Sequence, residues 1–172
     1  MQKITPFLWF DDGCEEGINF YTSVFNGSPN KKAESKVVTI QRYPDNIPNP
    51  PWGEGMSGKV LTAVFELAGQ KFMALDGGKG VFARGGSVSF LVDCENQEEI
   101  DYFWGKLTEG GDPKAQQCGW LMDKYGFSWQ IVPDMEKWLN GPDKEGAKRA
   151  MQAMLQMKKI VIADLEKAYR GE

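Results

Sequence analysis

A chain of 172 residues with 41% apolar side chains, 26% charged side chains and a net charge of −4 has the makeup of a globular protein rather than a disordered segment. It contains no histidine, which excludes imidazole acid–base catalysis, Ser-His-Asp and Cys-His nucleophilic sites, and zinc sites built on imidazole. The acidic balance argues against nucleic acid, and no apolar run approaches the ~20 residues of a membrane span.

The opening MQKITPFLWFDDG has one lysine and too short an apolar stretch for a signal peptide. Cys14, Cys94 and Cys118 are far apart, odd in number and form no CxxC motif, which fits reduced thiols and a cytoplasmic location. Cys94 and Cys118 lie among apolar neighbours and read as inert core thiols.

Ile4–Phe10 is an apolar run of strand length. A helical pattern follows, with Cys14, Ile18, Tyr21 and Phe25 on one stripe, and Asp12 with Glu15 at the spacing of an N-cap and its reciprocal carboxylate. Lys36–Arg42 and Lys59–Leu67 read as strands, and Gly69 turns the chain into a third, Lys71–Leu75, closed by Asp76-Gly77-Gly78. Pro44–Gly58 holds four prolines and three glycines in fifteen residues and cannot be a helix or strand interior. It reads either as a lid over a pocket or as a surface excursion or dimer arm.

Val88–Asp93 begins the same order again. Asn96 and Glu99 have N-cap spacing before a helix with Ile100, Phe103 and Leu107 on one stripe. Gln116–Met122 and Phe127–Val132 then flank the turn Asp123–Gly126. Residues 7–25 lie over residues 90–108 at an offset of 83, matching Phe7 with Phe90, Leu8 with Leu91, Glu15 and Glu16 with Glu98 and Glu99, and Phe20 with Phe103. From Pro142 the chain turns helical, with Ala147, Ala150, Met151, Met154 and Leu155 on one stripe and a second helix over Ile160–Tyr169. Seven basic against five acidic residues from Asp143 onward read as a solvated helix face. The expected fold is α+β: two β-α-β-β-β modules, the second trimmed, plus a C-terminal helical extension. It forms one domain over 1–172, with module one at 1–80, module two at 84–134 and the tail at 135–172.

The stretches PFLWFDDGCEEGINFYTSVF, FELAGQKFMALDGG, SFLVDCENQEEIDYFWGKL, CGWLMDKYGFSWQIVP and MQAMLQMKKIVIADLE span nearly the whole chain. In them the sequence resembles the vicinal-oxygen-chelate (glyoxalase/bleomycin-resistance) superfamily, within it the PhnB-like branch labelled demethylubiquinone methyltransferase-like. The resemblance implies paired glyoxalase-like modules, a homodimer and four strand positions that bind a divalent ion in metal-using relatives. Here those positions carry Ile4, Met73, Ser87 and Gln130, of which Gln130 alone is a plausible oxygen donor. The metal site reads as lost, with the space left as a small-molecule pocket between the modules. Strand alternation expects Ile4, Pro6, Leu8, Lys71, Met73, Leu75, Ser87, Ser89, Leu91, Ser128 and Gln130 to line it. Ile4, Leu8, Met73, Ser87, Ser89 and Gln130 are the chief binding candidates; the other reading is that these side chains fill the sheet interior. Phe7, Trp9, Val88, Phe90, Trp129 and Ile131 are expected against the helices.

The methyltransferase label points to S-adenosylmethionine. The one glycine-rich candidate, Gly77-Gly78-Lys79-Gly80, is followed by the glycine-broken run 81–86 and reads as a turn. No cofactor is therefore expected. The first functional reading is a metal-free small-molecule-binding homodimer without nucleic-acid or membrane partners. The alternative is an enzyme of lyase, isomerase or transferase type, with Asp76 or Glu66 in place of histidine, where Asp76 also reads as the start of an Asp-Gly turn.

Overall fold

The computed structural model describes residues 2–45, 54–79, 87–139 and 141–172. The chain divides into two compact units, residues 1–83 and 84–172.

The first unit runs β1 (Phe7–Phe10), α1 (Cys14–Asn26), β2 (Lys36–Arg42), β3 (Val60–Leu67) and β4 (Gln70–Asp76). Its sheet order is β1-β4-β3-β2, with β1 parallel to β4 and the other pairs antiparallel. Helix α1 returns the chain so that β2 runs in the direction of β1, and two antiparallel reversals then bring β4 beside β1 in the same direction. Val, Thr and Phe in β2 and β3 suit a half-buried pleated surface. Buried Ile18, Tyr21 and Val24 of α1 cover the sheet face made by Leu8, Phe10, Ala63, Phe65, Phe72 and Ala74. Val24 takes the buried place that the helical stripe gives to Phe25, which is only half-buried.

The second unit runs β5 (Ser89–Cys94), α2 (Gln97–Thr108), β6 (Trp120–Met122) and β7 (Ser128–Pro133). Its order is β5-β7-β6, again with the first strand parallel to the last, but with three strands in place of four. Ile100, Phe103 and Leu107 of α2 are buried, as are Leu121, Trp129 and Ile131 of the sheet. The expected α+β architecture of repeated modules, the second trimmed, is the observed one. Gln116–Met122 is shorter than expected as a strand, because a 3-10 turn at Pro113–Ala115 and a left-handed Cys118 (φ 52) precede β6.

The helix starts differ in kind. Asn96 caps α2 as its spacing implies, accepting from Glu99 N at 3.0 Å, while the Glu99 carboxylate reaches back to Glu95 N at 2.8 Å. Asp12 does not cap α1. It accepts from Gly13 N and pairs with Lys59 at 3.0 Å, and the N-cap position falls to Gly13 at φ 77. The connection Asp11-Asp12-Gly13 is one residue longer than Glu95-Asn96.

The tail forms α3 (Glu136–Leu139), α4 (Lys144–Gln156) and α5 (Ile162–Arg170). Between α4 and α5 the chain passes alongside the turn before β6, where Cys118 N donates to Met157 O at 2.8 Å and Gly119 N to Lys158 O at 2.7 Å. The Gln97 amide grips the same segment, donating to Ile160 O at 3.1 Å and accepting from Ile162 N at 2.8 Å. Lys159 pairs with Asp101 at 2.6 Å, a contact that holds the Asp101 carboxyl below its ordinary range. Ile160 and Leu165 are fully buried, so the tail is stitched into the second unit by polar and apolar contacts alike. Replacing Gln97 by Ala removes both side-chain hydrogen bonds to the segment, leaving those from Cys118 and Gly119, and is expected to lower stability by about 1–3 kcal/mol. Urea unfolding, with limited proteolysis around residue 157, checks this; an unchanged midpoint and unchanged protection would contradict it.

Candidate functional site

Each sheet has one face covered by its helix and one that is not, and side chains along a strand alternate between the two. In the first unit Phe7 pairs in register with Met73, Trp9 with Leu75 and Val64 with Met73, so these residues share the uncovered face with Thr62. The face is apolar at its centre and charged at one edge, where Lys71 and Lys36 flank Glu66. Thr62 Oγ1 is buried and has no hydrogen-bond partner among the described residues. In the second unit Ser89, Ser128 and Met122 form one row of the uncovered face, and Leu91, Gln130 and Trp120 the next.

This arrangement sorts the expected lining residues. Met73, Leu75, Ser89, Leu91, Ser128 and Gln130 lie on uncovered faces, and Gln130 Nε2 donates to Ser89 Oγ at 2.8 Å. Leu8 does not: it is 4% exposed, on the helix-covered face with Phe10. Phe7 and Trp9, expected against the helix, take the uncovered face instead. The physical reason is the extra residue before α1. Matching the chain copies through their helix starts puts the strands one residue out of step, and with a period of two that exchanges every facing in β1. The signal was available in the sequence, since aligning Phe10 with Cys94 restores the alternation. Ile4 precedes β1 and is 85% exposed, while Ser87 and Val88 precede β5 and are also exposed. Met73 meets Pro6 and Phe7 within its own sheet, its N–H donating to Pro6 O at 2.9 Å.

The carboxylates proposed for enzymatic chemistry are otherwise engaged. Asp76 is 3% exposed and ties three parts of the first unit together. Its Oδ1 accepts from Cys14 N at 2.8 Å, its Oδ2 from Val60 N at 2.9 Å, and its backbone carbonyl from Tyr43 Oη at 3.0 Å. It thus supplies the cap that Gly13 cannot, at the positive end of α1. Burial and the nearby Asp76 charge push the Tyr43 phenol up. Asp123 plays a matching part in the second unit, accepting from Tyr125 N, Phe127 N and Trp129 Nε1. Glu66 lies at the charged edge, 3.8 Å from Lys36. Among the described residues no three His, Cys, Asp or Glu side chains gather as a metal site.

The thiols divide into two kinds. Burial, with Asp76 nearby, pushes Cys14 up to about 12, and burial, with Glu99 and Asp93 nearby, does the same to Cys94. Cys118 is not a core thiol as expected: it is only half-buried, and its Sγ takes a contact from Gln117 Nε2.

Gly77 answers a different need from the one a glycine-rich nucleotide turn serves. A Cβ there would overlap the indole ring of Trp9, whose Nε1 donates to Gly78 O at 3.4 Å. The space is filled by the chain's own tryptophan. Residues 80–86 lie outside the described residues, as do 46–53 of the proline-rich stretch, and the next helix in the described chain starts at Gln97. In the described part of the turn, Gly77–Lys79, the residues do not form the cradle that S-adenosylmethionine requires, because Trp9 occupies the space beside Gly77.

The fold is a pair of small α+β modules, each with one helix against one face of its sheet. A family model described as 3-demethylubiquinone-9 3-methyltransferase matches residues 2–132. A Bacillus cereus PhnB protein, which carries that methyltransferase name provisionally, is 40% identical. The match covers 77% of this chain and 99% of that one, with a TM-score of 0.61. Protein PA1353 from Pseudomonas aeruginosa shares the fold at 19% identity and a TM-score of 0.53, over 75% of this chain and 95% of that one. No curated protein matches. The chain belongs to this PhnB-like family. The family match stops before α3, so the helical tail lies outside it.

Two outcomes follow from the carboxylate and thiol geometry. Asp76→Ala leaves two buried N–H groups unpaired and is expected to cost about 2–5 kcal/mol in urea unfolding, with Asp76→Asn milder; equal stability of Asp76→Ala and the parent would reject the capping role. With a disulfide-exchange reagent at pH 8, one thiol of the native protein is expected to react quickly. Cys118→Ser should abolish that phase, and a fast phase that survives the substitution would show Cys14 or Cys94 to be accessible.

Proposed function

We propose that this PhnB-like protein is a metal-free small-molecule-binding protein of the glyoxalase/bleomycin-resistance type, acting as a homodimer in the cytoplasm. The observation that carries the reading is the chemistry of the uncovered sheet faces. Phe7, Trp9, Met73, Leu75 and Leu91 supply apolar surface, and Ser89 and Gln130 supply neutral hydrogen-bonding groups, the composition of a small-molecule site. The resemblance assigns the ion of metal-using members to Ile4, Met73, Ser87 and Gln130, but Ile4 and Ser87 precede β1 and β5 and are exposed, and among the described residues no three His, Cys, Asp or Glu side chains gather. A hydrocarbon, a thioether, a neutral hydroxyl and one amide do not make a donor set for a hard divalent ion. No helix among the described residues is long and apolar enough to cross a membrane.

Methyl transfer is the weaker reading despite the family's name, because the turn after β4 is packed by Trp9. Exposed Met151 and Leu155 on α4 supply apolar surface for a second copy.

Elemental analysis of the purified protein is expected to find zinc, nickel and manganese well below one per chain; a stoichiometric ion would overturn the metal-free reading. Calorimetric titration with S-adenosylmethionine is expected to show no saturable heat, and clear saturation would restore the transferase. Light scattering at micromolar concentration is expected to give twice the chain mass, and a monomer would remove the dimer.

A further inference from the structure

The uncovered face of the second sheet carries polar and aromatic groups that are used within the described residues by one hydrogen bond alone, Gln130 to Ser89. Leu91, Gln130 and Trp120 stand in one register row across β5, β7 and β6, a width of about 10 Å at ordinary strand spacing. Ser89 and Ser128 occupy the row beside it. The Gln130 amide nitrogen donates to Ser89 Oγ at 2.8 Å. The amide oxygen and second N–H of Gln130, and the Ser89 hydroxyl proton, have no partner among the described residues. The Trp120 side of this row is equally unused. Its residue is 37% exposed, and its indole makes no ring contact or hydrogen bond among the described residues. By contrast, the indole N–H groups of Trp9 and Trp129 bond Gly78 O and Asp123 Oδ2.

The chemistry on display is specific. Trp120 offers a flat π surface and Leu91 an apolar wall on the other side, so the molecule that fits between them is planar. Gln130 and Ser89 together present an acceptor next to donors, which complements a group carrying an N–H or O–H beside a carbonyl. The two rows hold no charged side chain. The next residue along β5 on this face, Asp93, is exposed, makes no ion pair among the described residues and repels anions.

We propose that this face is a subsite for a neutral, planar molecule of the lactam or enolised-carbonyl class, stacked on Trp120 and hydrogen-bonded by the Gln130–Ser89 pair. The inference rests on the small-molecule reading above and adds to it the ligand's chemistry and a specificity role for Trp120.

Four probes on the full chain test it: 2-quinolinone, its N-methyl derivative, 2-naphthoate and N-methylquinolinium, followed by NMR of side-chain amide, indole and methionine signals. The first is expected to shift the Gln130 amide and Trp120 indole signals saturably. The N-methyl compound, which keeps the ring but lacks the donor, is expected to bind at least tenfold more weakly. Gln130→Leu and Trp120→Leu should each weaken 2-quinolinone at least tenfold while the Trp129 indole signal, reporting the core, stays in place. Equal or tighter binding of the anion, the cation or the N-methyl compound at these signals would overturn the ligand class and leave the small-molecule reading standing. Shifts confined to Trp9 and Met73 of the first sheet would do the same. Absence of a saturable shift on either sheet would overturn both.

Discussion

In each unit a single helix covers one face of a small sheet, and the pleat assigns every strand residue to the covered or the uncovered side. The two-residue period makes that assignment all or nothing for a whole strand. What sets it is the connection between first strand and helix, three residues in the first unit and two in the second. The extra residue brings a left-handed Gly13 in place of a capping side chain. The helix start in the first unit must then be satisfied from elsewhere, and Asp76 does so from the end of the parallel partner strand. Capping, strand facing and the burial of a carboxylate are three consequences of one backbone detail.

The order of elements was readable because it depends on local signals. Period-two alternation, the Asn96 and Glu99 spacing, and apolar residues three and four apart act over a few positions, and they place α2 and most strands to within two residues. The site was readable only in part. In β5 and β7 the alternation put Ser89, Leu91 and Gln130 on the uncovered face, where they lie. In β1 the same reasoning exchanged Leu8 for Phe7 and Trp9, because the match between the copies was anchored on the helices. Asp76 shows the other limit. An Asp-Gly pair reads as a turn, and nothing within a few residues reveals that its carboxylate bridges Cys14 and Val60 far along the chain.

The tail belongs to the second unit in an energetic sense even though the family match ends before it. The three-stranded sheet lacks the outer strand that its counterpart has in β2. Buried Ile160 and Leu165, with the Gln97 clamp and the backbone bonds to Cys118 and Gly119, provide apolar cover and backbone partners beside that edge. Charged β2, bulged at two places, protects the outer edge of the first sheet by different means.

The makeup of the uncovered faces also limits what binding there can be. Away from the Lys36–Glu66–Lys71 edge and from Asp93, these faces offer a ligand apolar burial, worth roughly 25 cal/mol per Å², and a few hydrogen bonds to neutral groups. Apolar burial discriminates weakly between ligands of similar shape, by about one to three kcal/mol per methylene, whereas a buried amide or hydroxyl left unpaired rejects a ligand that cannot satisfy it far more strongly. Selectivity on such faces therefore falls to the polar groups not consumed by the fold. Asp76, Asp123 and Glu99 are consumed; each accepts backbone or indole N–H groups. Among the described residues Gln130 and Ser89 are consumed only by each other, and through one bond. Under the proposed binding role, such faces discriminate by hydrogen-bond pattern rather than by charge.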